Sequence, residues 1–194
     1  MMRSLFQRVF PGNPLEEPAR ALYESIVHQA RCPQFYSVCG VPDSTDGRFE
    51  MLLLHTALIM RRLRQEGETA AGLRQTLFDT LIFDMDQSLR QSGVGDLKVG
   101  PKLKRMGEAF YGRSKAYDDG LDSSDATDLR EALVRNVYGT TAAPSDAALD
   151  ALAYYMRESD GLLAQQDRAA LLKGQPGFAA PPAPEAVSQQ ALTS

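Results

Sequence analysis

The run MLLLHTALIM at 51–60 is apolar on every side of a 3.6-residue helix, so it has to be surrounded by other parts of the chain. His55 interrupts it and Arg61 and Arg62 close it, which leaves too short an apolar stretch to cross a bilayer. A helix from about Asp46 to Glu66, stopped at Gly67, carries the run. A helix covered on all sides belongs in the middle of a bundle, and the flanking segments read as its neighbours.

The first neighbour spans about Pro14 to Arg31, with Pro14 preorganised for a first turn and Glu16 and Glu17 favouring a helix N-terminus. Pro33, Gly40, Pro42 and DSTDG predict an irregular connection after it. A third helix, capped by Thr69, runs to Gln91 and breaks at Gly93 and Gly95. A fourth covers about Val99 to Asp118. A fifth runs from Ser124, with Ser124 or Asp125 as cap, to Tyr138. A sixth opens at Pro144–Asp146 and reaches about Lys173, with a break expected at Gly161. No segment shows sustained strand alternation. The fold class is therefore all-α: a single domain of about six helices over 14–173, preceded by an amphipathic segment at 1–13 and followed by a disordered Pro/Ala-rich tail at 174–194.

Several function classes are disfavoured at once. A net charge of −4 gives no bulk attraction for nucleic acid, so a phosphate partner would need a local basic patch. Cys32 and Cys39 are the only cysteines, seven apart, which is neither a disulfide scaffold nor a zinc spacing. There is no Gly-x-Ser-x-Gly, phosphate loop or dinucleotide fingerprint. Asp79, Asp84, Asp86 and Glu108 invite a di-metal reading, but no Glu-x-x-His accompanies them. No catalytic residue, metal site or cofactor is expected.

The third helix is the most informative. Phe78, Ile82, Met85 and Leu89 line one stripe, and Leu73, Leu77 and Leu81 line the next, which Asp84 continues. A carboxylate on an apolar stripe is either exposed or buried with a partner, and Arg113 is the best candidate cation for a buried pair. Phe83 shares its face with Asp79, Asp86 and Arg90, the setting of a partner surface or of a covered aromatic. On the fourth helix Val99, Leu103, Met106, Phe110 and Tyr117 form the apolar stripe. Gly107, Ala109 and Gly112 are small enough for close approach, and Lys102, Lys104, Arg105 and Arg113 make the outer side basic. Such a strip can dock an anionic membrane, RNA or an acidic protein, or be a solvated face.

The ordered set Phe83–Asp84–Met85–Asp86, GVGDL at 93–97, the Lys/Arg-rich helix start, AFYGR at 109–113, Tyr117–Asp118 and ALVRNVYG at 132–139 resembles the ubiquinol–cytochrome c chaperone family. The likeness is dense over 78–121 and extends across about 35–172. In it Asp84, Asp86, Gly93, Gly95 and Gly112 are structural members.

The resemblance implies a non-enzymatic factor that binds newly made cytochrome b and assists assembly of the ubiquinol–cytochrome c reductase. Mitochondrial members carry a targeting extension and act with a small partner at the ribosome. The lack of such an extension here points to a bacterial member working in the cytoplasm near the inner membrane; a monomer is expected, with the inner-membrane surface as a candidate partner and no specific nucleic acid. A surface that holds transmembrane segments has to be apolar and adaptable. Phe78, Phe83, Met85, Met106, Phe110, Tyr111 and Tyr117 are the candidate client-binding residues, and Lys102, Lys104, Arg105 and Arg113 the candidate basic surface. The competing reading is a helical adaptor for a soluble protein or an anionic membrane surface, without client-chaperone activity.

Overall fold

The computed structural model describes residues 13–139 and 144–183, and the described residues are all helix and connecting segments. In chain order the helices are α1 (Glu16–Ala30), α2 (Pro33–Ser37), α3 (Thr45–Gln65), a 3-10 turn (Gly67–Ala70), α4 (Ala71–Gln91), α5 (Asp96–Asp122), α6 (Ala126–Val137), α7 (Asp146–Gln165) and α8 (Arg168–Leu172). The segment expected at 1–13 lies outside the described residues except for Asn13, whose side chain ties the start of α1 to Thr76 on α4 at 3.2 Å.

Helix α3 is the axis of the bundle, as MLLLHTALIM requires, and α1, α4, α5, α6 and α7 all pack against it. Met51, Leu53, Leu54, Ile59 and Leu63 have no exposed surface. Its start is set by Ser44, whose side chain accepts a hydrogen bond from the Gly47 N–H at 3.1 Å. Asp125, Ser145 and Asp167 cap α6, α7 and α8 in the same way. Asp125 is thus the cap, and Ser124 is not.

The boundaries depart from expectation in four places. Pro33 starts a helical turn instead of breaking one, because proline at the first helical position gives up no donor that the helix needs. Thr69 does not cap α4; its hydroxyl donates to the Glu66 carbonyl at 2.6 Å and so closes the 3-10 turn. Helix α5 begins at Asp96, a turn earlier than expected, and accommodates Pro101 because the carbonyl that loses its donor belongs to Leu97, which lies in the exposed first turn. Helix α7 passes through Gly161 and ends at Gln165, since one glycine costs a long packed helix only about 1 kcal/mol.

One close approach and one tight turn depend on glycine. A Cβ on Gly120 would lie 2.7 Å from the Leu129 Cα, so only glycine lets α5 meet α6 there. The turn from α4 into α5 uses Gly93 at φ 79°, with the Val94 N–H donating to the Leu89 carbonyl at 3.1 Å.

The expected tail begins differently. Gly174, at φ 80°, turns the chain back over α1, where a Cβ would collide with the Pro18 carbonyl oxygen at 2.6 Å. Residues 175–183 have no regular secondary structure and lie against the bundle at Phe178 and Ala179, and residues 184–194 lie outside the described residues.

Candidate functional site

The α4–α5 hairpin is where the residues singled out from the sequence meet. The Phe78 ring lies 5.7 Å from Phe110 and 5.3 Å from Tyr111, and Phe110 and Tyr111 are 5.8 Å apart edge to face. Gly107 lies under this contact: a Cβ there would sit at ordinary van der Waals distance from the tips of Phe78 and Ile82. Phe78, Ile82, Leu103 and Met106 are half-buried against the core, while Tyr111 is 62% exposed. Together they form an apolar, aromatic seam open to solvent along one edge.

The structure narrows the candidate set. Met85, Phe110 and Tyr117 are 4%, 3% and 1% exposed and serve as core. Phe78, Phe83 and Met106 are half-buried, so Tyr111 is the fully presented aromatic among the candidates. Gly112 was expected to admit a neighbouring helix but faces open space; Gly107 faces Phe78 and Ile82 with room for a Cβ, and Gly120 is where the approach of a helix excludes one. Gly95 is the N-cap residue of α5, with open space at its Cβ position.

The expected pairing of Asp84 with Arg113 does not occur. Asp84 accepts the Tyr23 hydroxyl proton at 2.8 Å, joining α4 to α1. Burial, reinforced by the adjacent Asp84 carboxylate, holds the Tyr23 phenol far above its ordinary pKa. Arg113 turns instead to α3, where it grips Glu50 with two bonds: Nε to Oε2 at 2.7 Å and Nη2 to Oε1 at 2.6 Å. Burial raises the Glu50 pKa and the guanidinium opposes that rise. Arg113 is therefore a packing residue of the bundle. Asp86 is held by Arg90 at 2.7 and 3.1 Å on the same helix.

Lys102, Lys104 and Arg105 do stand outward on α5. Lys104 approaches Glu108 at 3.9 Å, and Lys102 and Arg105 have no ion pair among the described residues. The rim of the seam is thus cationic. No three metal-ligating side chains converge among the described residues.

A second site was not foreseen. His55, inside α3, donates from Nδ1 to the Met51 carbonyl at 2.7 Å, and its Nε2 accepts the Tyr155 hydroxyl at 2.8 Å. Gln29 donates to Tyr155 at 3.0 Å and also to the Ala179 carbonyl of the C-terminal segment at 3.1 Å. The Ala179 N–H donates to Ser159 at 3.2 Å, and the Phe178 ring stands edge-on to His55 at 5.2 Å. A histidine bonded to a hydroxyl resembles a base with its partner, but both side chains are sealed in the core. Burial drives the His55 pKa down to about 4. The arrangement fastens the C-terminal strap to the bundle. The signal in the sequence was Phe178, a lone aromatic in a Pro/Ala-rich stretch with nothing nearby to bury it.

No described helix is long and apolar enough to cross a membrane. The sequence model described as ubiquinol-cytochrome C chaperone matches residues 37–179, which takes in the whole seam and ends on the strap at Ala179. The chain is similar to ubiquinol-cytochrome-c reductase complex assembly factor 1 of Xenopus laevis, 26% identical over 61% of this chain and 59% of that protein. It is 28% identical to the mouse protein of the same description over 55% of this chain, spanning 36% of the relative's length. Its fold is that of the crystal structure of the Cbp3 homolog from Brucella abortus, with a TM-score of 0.77 and 34% identity over 97% of this chain and 99% of that one. With the family match covering most of the bundle and the solved relative nearly all of it, the chain belongs to the ubiquinol–cytochrome c chaperone family.

Proposed function

We propose that this chain is a non-enzymatic assembly factor for the ubiquinol–cytochrome c reductase, and that it holds newly made cytochrome b on the α4–α5 seam. The family description and the names of the curated relatives support the assembly role. The observation that carries the choice of surface is the half-open aromatic seam of Phe78, Met106 and Tyr111. A client with membrane-spanning helices needs apolar contacts that can adjust, and Met and aromatic side chains at a seam between two helices supply them. The cationic rim of Lys102, Lys104 and Arg105 suits the polar ends of such a segment.

The test is deletion of the gene in its source cells, followed by complementation. Deletion is expected to lower the assembled reductase and its cytochrome b signal, and the unaltered gene to restore both. Tyr111→Asp leaves the core intact because the ring is exposed, yet it places a charge on the seam. A buried aromatic anchor at an interface contributes about 2 kcal/mol, so client affinity should fall roughly thirtyfold and restoration should be poor. Full restoration by the Tyr111 variant would move the client to another surface. A deletion with no effect on the reductase would contradict the assembly role itself.

A further inference from the structure

At the tip of the α4–α5 hairpin, Leu97 is 95% exposed, the most exposed large apolar side chain among the described residues. It does not stand alone. Lys98, Lys102, Lys104 and Arg105 follow it within two turns, and no carboxylate falls between Leu97 and Gly107. All four cations are exposed, and Lys98, Lys102 and Arg105 have no ion pair among the described residues. The acids nearest the tip are already engaged, since Asp86 and Asp96 both bind Arg90. The local charge is therefore strongly positive on a chain whose net charge is −4. Spacings of four and seven residues put Leu97, Pro101 and Lys104 on one side of α5, with Lys98 and Arg105 together about a quarter-turn to one side of them.

We infer that this tip docks the protein on an anionic bilayer surface, with Leu97 entering the acyl boundary and Lys98, Lys102, Lys104 and Arg105 resting on the lipid headgroups. Charge complementarity selects an anionic partner, because the patch holds several unneutralised cations while the chain as a whole is acidic. The leucine selects lipid among anionic partners. RNA or an acidic protein surface would pair with the lysines but would leave Leu97 in water, whereas a membrane interface takes both. Lys102, Lys104 and Arg105 also rim the proposed client seam, so docking would bring that seam to the membrane. Vesicle binding needs no client, and its failure is therefore separate from failure of the cytochrome b reading.

The experiment is co-sedimentation of the full chain with vesicles of phosphatidylcholine and phosphatidylglycerol in a roughly two-to-one ratio, against phosphatidylcholine alone. The expected result is binding to the anionic vesicles only, weakened by added salt. Leu97→Ser should reduce vesicle affinity about tenfold, and Lys102→Glu with Arg105→Glu at least tenfold. The helical circular-dichroism signal should be unchanged, because all three side chains are exposed. Three results would overturn the inference: no binding to anionic vesicles, equal binding to neutral ones, or anionic binding that survives both variants. Binding held by Arg3 and Arg8 would produce the last of these. A patch made for RNA or an acidic protein would bind the vesicles by charge alone, so Leu97→Ser would leave that binding untouched, contrary to the expected loss of about tenfold.

Discussion

Arg113→Ala is expected to destabilise the fold by about 3–5 kcal/mol, enough to leave a domain of ordinary stability marginal. The cost does not come mainly from the lost attraction. Glu50 is 8% exposed, and with the guanidinium gone its carboxylate stays in the bundle between α3 and α5 with no cation to answer it. Two observations would separate this account from simple loss of packing.

One is the double substitution Glu50→Met with Arg113→Met. It removes the stranded charge and should recover most of the stability, since apolar replacements of a buried pair are often neutral. The other is pH. Burial already raises the Glu50 pKa in the folded state, and loss of Arg113 removes what opposes that rise. A carboxyl with a raised folded pKa contributes its stability below its unfolded pKa and loses it as pH rises through the folded value. The Arg113 variant should therefore regain relative stability as pH is lowered from neutral towards the ordinary glutamate range. Urea unfolding followed by circular dichroism measures both. A single-variant loss below about 1 kcal/mol would show that the pair is solvated instead of buried.

The second large effect is acid sensitivity through His55. Its folded pKa is about 4, against an ordinary 6.5, because burial disfavours the imidazolium. The unfolded chain takes up a proton between those values and the folded chain does not. The contribution of His55 is thus fully present above pH 6.5 and is lost as pH falls towards 4. By about pH 5 the loss should reach about 2 kcal/mol. His55→Asn should be less stable at neutral pH, because the bond to Tyr155 goes, but its stability should no longer fall between pH 6.5 and about 5. If the variant keeps the slope of the unaltered protein, some other group is titrating. The strap should report the same event, since Phe178 rests on the His55 ring and protonation would place a charge against it.

The class of fold was written plainly in the chain, and so was its centre. An all-round apolar run has one place to go, and α3 occupies it. What could not be read was pairing between helices distant in sequence. Asp84 continues an apolar stripe and was expected to pair with Arg113, but its partner came from α1, because which faces of α1 and α4 meet depends on packing across the whole bundle. Arg113 then fell to Glu50, which sits near the start of a helix read only for its apolar residues.

The strap was missed for a different reason. Pro and Ala carry little side chain to bury, and the residues that pin it, Phe178 and the Ala179 backbone, act through contacts on α1, α3 and α7 that no local pattern foretells. The candidate surface was half legible. Helical spacing placed Phe78, Met106 and Tyr111 on facing helices, but it could not say that Met85, Phe110 and Tyr117 point inward while Tyr111 points out.

The claim that the α4–α5 seam holds cytochrome b is tested most directly by a photo-crosslinking amino acid at position 111, introduced in cells that are making the reductase, with the captured protein identified by mass spectrometry. The account predicts a crosslink to cytochrome b from position 111 and none from position 154, where Tyr154 is equally exposed on α7, away from the hairpin. Capture of cytochrome b from position 154 but not from 111, or from neither, would contradict it.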